Sequence, residues 1–174
     1  MIINRRPRPV QLACLGFTAL VLLSVSPCHA QDIDSPKFVA FAGAGAMATS
    51  AHSLGEMQVG AGLEGSAPNH WFGLGIEGGY VGPFSRLKAG SAVLSLNYIP
   101  SWKVDEKGQY LPFATVGYTR LFGTGNAVNY GGGLDIRLND CHAIRFEVRD
   151  YYAPSRPAQH NVAFRIGWIV YVAE

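Results

Sequence analysis

Past residue 30 the chain has no long apolar run, which excludes a helical membrane span in that part of the sequence. It is also short of charge: 15% of its residues are Asp, Glu, Lys or Arg, against about 25% in an ordinary soluble domain. Cysteine is scarce. Cys14 and Cys28 fall inside the N-terminal leader described below, and removing that leader would leave Cys141, so the sequence predicts no internal disulfide. The formal net charge of +2 includes three leader arginines, which puts the remainder near −1 and leaves no basic surface for nucleic acid. The five histidines have no metal-ligand spacing. No helix pattern follows the Gly-x-Gly runs at 43–45, 60–62 and 73–75, so neither a metal centre, a nucleotide loop nor a cofactor is expected.

The leader has a recognisable order. Arg5, Arg6 and Arg8 precede an apolar stretch from Leu12 to Val25, which ends in Ser26-Pro27-Cys28-His29-Ala30. A basic segment, an apolar core and a small residue at the boundary predict a secretory signal cleaved near Ala30. Its apolar core of about 14 residues is short of the roughly 20 needed to span a bilayer. Whether Cys28 is lipidated stays open, with Pro27 before it a poor fit to that idea. The expected organisation is a signal peptide over 1–30 and one barrel domain over 31–174.

What the sequence has in plenty is glycine, 21 residues, and strict alternation. In residues 161–172 Val162, Phe164, Ile166, Trp168, Val170 and Val172 alternate with Asn161, Ala163, Arg165 and Gly167. Ile144, Phe146 and Val148 alternate with Arg145, Glu147 and Arg149, and Val128, Tyr130, Leu134 and Ile136 with Asn129, Gly131, Gly133, Asp135 and Arg137. The pattern recurs around 57–64, 72–80 and 91–99, while 37–48 and 111–122 read as strands of ambiguous face. A period of two places alternate side chains on opposite faces of a strand. Eight such segments, hiding their hydrophobicity in alternation, predict an all-β, eight-stranded antiparallel up-and-down transmembrane β-barrel.

Alternation alone does not say which face points inward; a soluble barrel would bury the apolar one. Three features favour the polar face inside. It is rich in glycine, which suits a cramped eight-stranded lumen. Its charges balance, Glu64, Glu77, Asp135 and Glu147 against Arg137, Arg145, Arg149 and Arg165, and arginine's fork is the better partner in a confined space. Aromatics gather near strand ends as interfacial girdles do: Tyr80, Tyr98, Trp102, Tyr110, Tyr118, Tyr151, Tyr152, Trp168 and Tyr171. Trp71 breaks the rule, since its parity points inward. The eight charges are expected to form a lumen ion-pair cluster, structural or gating. A small polar residue at Gly133 is expected to be tolerated better than arginine on the apolar face. With both termini on the periplasmic side, residues 49–55, 81–88, 122–126 and 153–160 become outer loops and 66–70, 100–110 and 138–140 inner turns.

The stretches Pro112–Tyr118, Gly131–Asp140 and Arg145–Tyr151 resemble the second half of small outer-membrane β-barrel proteins, similar to the membrane domain of outer-membrane protein A and the opacity proteins. The resemblance implies localisation in the cell outer membrane, contact with its lipid, and insertion by the outer-membrane assembly machinery. Arg165, Gly167, Val170 and Val172 match the family's C-terminal assembly signal, although Ala173-Glu174 replaces the usual final aromatic. The fold carries many functions, so activity is read from the residues: without a catalytic set, a monomeric, non-enzymatic barrel with a structural or interaction role is expected, a narrow pore being the alternative. Lipid A deacylase barrels, which are of similar size, carry a His, Ser and Asn cluster in the seventh strand. Here that strand reads Arg149-Asp150-Tyr151-Tyr152, and Ser155 and His160 lie in the following loop, so no catalytic residue is assigned and a lipid A-modifying hydrolase is the less favoured alternative.

Overall fold

The computed structural model describes residues 37–49, 52–67, 72–85, 89–123, 125–154 and 159–172. Eight strands follow one another: β1 (Lys37–Thr49), β2 (His52–Ser66), β3 (Gly73–Pro83), β4 (Ser91–Tyr98), β5 (Tyr110–Leu121), β6 (Gly125–Arg137), β7 (His142–Ala153) and β8 (Gln159–Val172). Each pairs antiparallel with the next, and β8 returns to β1 from Phe38↔Val172 to Thr49↔Asn161. The result is a closed barrel, which leaves no open sheet edge to template another chain.

The outer connections are tighter than the sequence suggests. Expected outer loop 49–55 shrinks because Thr49 pairs with His52 and β2 extends over 15 residues. At the terminal end, Asn139 closes the β6–β7 turn by accepting from the backbone N–H of Cys141 and His142, both at 2.9 Å. The longer β4–β5 connection is organised by Asp105, whose carboxylate accepts from Gln109 N at 3.0 Å and Tyr110 N at 2.9 Å. Gly108 supplies the positive φ of 59° that the reversal needs.

The faces divide as the alternation predicts. Leu63, Leu96, Phe164 and Ile166 look outward and are 52–60% exposed, whereas Gln58, Glu77, Asn129 and Arg149 look inward and are 0–1% exposed. A water-soluble barrel has the opposite arrangement. The two ambiguous strands resolve: β1 turns Val39, Phe41, Gly45 and Met47 inward, and β5 turns Leu111, Phe113, Thr115 and Thr119 inward while Val116 and Tyr118 face out.

Two expectations need correction. Tyr151 and Tyr171 are not girdle residues but are buried inside, at 4% and 5% exposure, because they share the parity of Arg149 and Arg165. The interior is also not polar throughout. Met47, Val81, Val93, Ala127, Tyr151 and Ala163 pack at the end away from the termini, and Val39, Phe41, Ala143, Ile169 and Tyr171 at the terminal end. The expected absence of a disulfide concerns the chain without its leader, and Cys14 and Cys28 lie outside the described residues. Trp71 and Ser155 also lie outside them.

Candidate functional site: a lumen closed by ion pairs

Between the two apolar layers the lumen holds two charge clusters, set by register. Pairing of Asp135 with Arg145, and of Glu64 with Val39 and Gly75, turns three ionisable groups toward the axis at the terminal end. Arg145 reaches both carboxylates bidentately: Nη1 and Nη2 donate to Glu64 at 2.5 and 2.9 Å, Nε and Nη2 to Asp135 at 2.8 Å each. Its guanidinium also lies 4.4 Å from the Phe113 ring centroid and 5.4 Å from that of Phe41. A cavity of about 40 Å³ beside Glu64, Asp135 and Arg145 has room for water. Arg137 sits nearby with its guanidinium over Tyr171, 5.0 Å from the centroid.

The second cluster is a closed ring of four charges. Arg149 donates to Glu77 at 2.9 Å and to Glu147 at 2.7 Å, and Arg165 donates to the same two carboxylates, through Nε to Glu147 at 3.0 Å. Each arginine therefore bridges both acids, and each acid serves both arginines. These side chains are at most 4% exposed, so water does little to screen the ring. An unpaired charge here would be costly, and the geometry leaves none of the four unpaired. Glycine makes the room: a Cβ on Gly60 would collide with the Glu77 carboxylate, and one on Gly133 with the Phe146 carbonyl and the Phe113 ring. A side chain at Gly133 therefore carries a packing cost of its own.

Of the eight charges read from the sequence, seven are joined in these two clusters, and Arg137 sits beside the first. The remaining residues of the C-terminal motif lie on β8: Gly167 opposite Gly43 and Arg145, Val170 opposite Ala40, and Val172 opposite Phe38. Sequence reading missed a neutral polar layer beyond the ring. Gln58 donates to Tyr151 Oη at 2.5 Å, and Thr119 takes hydrogen bonds with Ser95 at 2.8 Å and Asn129 at 3.0 Å. Its signal was present in parity, since all these residues share the face of the charges. Among the described residues no group of His, Cys, Asp and Glu is arranged to hold a metal ion.

A closed eight-stranded barrel with an apolar exterior and a charge-filled interior defines the class of small outer-membrane-type barrels. Solved structures with this fold include a de novo designed transmembrane β-barrel, with TM-score 0.54 and 17% identity, covering 83% of this chain and 100% of that one. The N-terminal β-barrel domain of Pseudomonas aeruginosa OprF aligns with TM-score 0.53 and 11% identity over 78% of this chain and 97% of that one. Neisserial surface protein A aligns with TM-score 0.51 and 9% identity over 78% and 96%. At such identities the likeness is one of fold. No protein-family model matches the sequence, and a comparison with curated proteins finds no match.

Proposed function

We propose that this protein is a non-enzymatic outer-membrane β-barrel with a structural or interaction role, exported by residues 1–30 and inserted as a monomer by the outer-membrane assembly machinery. The observation that carries the reading is the inversion of faces: leucine, isoleucine and phenylalanine outside, a closed ring of carboxylates and arginines inside. An exterior of that kind is stable against acyl chains, and an interior of that kind resists ion passage. The closed lumen favours a role for the outer surface over transport.

A narrow pore is the second reading, favoured by one observation. Gln58 Oε1, Asn97 Oδ1, Thr115 Oγ1 and Asn129 Oδ1 are buried in the lumen without hydrogen-bond partners, and such groups attract water. A hydrolase has less support: His160 Nδ1 lies 2.6 Å from Asp150, the orientation a general base needs, but the described residues bring no serine to it. Lipid deacylation lost in Ser155→Ala would establish that reading instead. Planar-bilayer recording separates the first two. The plugged barrel predicts no resolved conductance in either the parent or Glu147→Gln, whereas steady unitary currents in the parent establish the pore.

A further inference from the structure

The outer wall carries a built feature that neither lumen nor barrel closure requires. Register stacks its outward residues in tiers: Ala44–Ile166–Phe146–Leu134, and above it Ala46–Phe164–Val148–Gly132. Ala44, Ala46 and Gly132 are small beside their large neighbours, and the wall there is a groove of about 590 Å³ lined by Ala44, Ala46, Phe146, Val148, Phe164 and Ile166. That volume is in the range of ligand sites. One tier higher, away from the termini, the surface turns polar. Tyr130, paired with Asp150, donates its hydroxyl to Asp150 Oδ2 at 2.7 Å, and His160 Nδ1 lies 2.6 Å from the same oxygen. Asn161 N holds Oδ1 at 3.1 Å, and the His160 ring lies 5.1 Å from that of Tyr152. On β1 the same tier holds Ala48, opposite Val162, so the ionisable groups stay on the β6–β8 side.

An apolar groove with a polar cluster in the next outward tiers matches a molecule with a chain and a head. We propose that this face seats one glycolipid of the surrounding membrane, an acyl chain in the groove and its sugar head on Tyr130, Asp150, Tyr152 and His160. The inference rests on the membrane-inserted reading above. The head chemistry follows from the groups present: a fixed carboxylate accepts from sugar hydroxyls, a phenol and an imidazole both donate and accept, and paired rings receive the C–H face of a pyranose. A fixed carboxylate is a poor seat for a bare phosphate, which argues against an anionic phospholipid head.

Native mass spectrometry of the full chain in detergent micelles tests this, with an acylated glucosamine disaccharide as probe and phosphatidylethanolamine of equal chain length as competitor. The expected result is one retained glycolipid per barrel, with about tenfold preference over the competitor. Asp150→Asn with His160→Ala should weaken retention by about tenfold. Ala44→Phe, which fills the groove from the lipid side without touching the polar cluster, should do the same. In each variant the heat-modifiable gel mobility of the folded barrel should be unchanged. Several lipids bound without head preference, variants that retain the glycolipid as the parent does, or a stable dimer occupying the groove would each overturn the seat. A folded barrel that retains nothing overturns the seat alone, whereas a chain that folds without detergent in water overturns the membrane reading as well.

Discussion

Single residues in this barrel are costly or cheap to change according to what faces them, not according to their size. Arg145 holds Glu64 and Asp135 together, so Arg145→Met strands two buried carboxylates and should destabilise the inserted barrel by roughly 3–5 kcal/mol in a urea titration on lipid vesicles. Glycines make the contrast sharper. The Cβ of Gly133→Ala would press on the Phe146 carbonyl and the Phe113 ring, while nothing lies within 4 Å of a Cβ added at Gly78. Gly133→Ala is expected to lower stability by about 1–3 kcal/mol, and Gly78→Ala to change it by less than about 0.5 kcal/mol. Equal effects in the same titration would contradict the close packing assigned to the lumen.

Strands and their connections are where the sequence was most legible. The period of two assigned the inward face correctly in β2, β3, β4, β6, β7 and β8, because glycine, charge or a small polar residue recurs on one face of each. It could not decide β1 and β5, where Val39, Phe41, Leu111 and Phe113 turn apolar side chains into the lumen and both faces read alike. The same cause hid the apolar layers at the two ends and misplaced Tyr151 and Tyr171. The pairing of particular arginines with particular carboxylates was also illegible, since Arg149 and Glu77 are 72 residues apart and meet only through register and closure. Outward positions give a direct test: Ile166→Arg and Phe146→Arg should each cost roughly 2–4 kcal/mol near the midplane. The β4–β5 connection should respond to pH instead. The backbone N–H groups of Tyr110 and then Gln109 hold the Asp105 carboxyl below its ordinary value of 3.8. A depressed acid stabilises the turn at neutral pH, and that contribution is lost as pH falls through the folded value. The amide resonances of Tyr110 and Gln109 should therefore titrate with a midpoint below 3.8.

For the whole molecule, closure, exterior and interior depend on one another. Eight strands leave a lumen narrow enough for side chains to fill, so charges placed there must meet partners, and the apolar side chains are left to the outside. The most direct test of that arrangement is intermolecular NOE spectroscopy of the barrel in lipid nanodiscs, read at assigned methyl groups. Acyl-chain protons should give NOEs to Leu63, Leu96 and Ile166, which face outward, and none to Leu111 or Ile169 inside. Water contacts along Leu63, Leu96 and Ile166, with acyl-chain contacts absent, would contradict it.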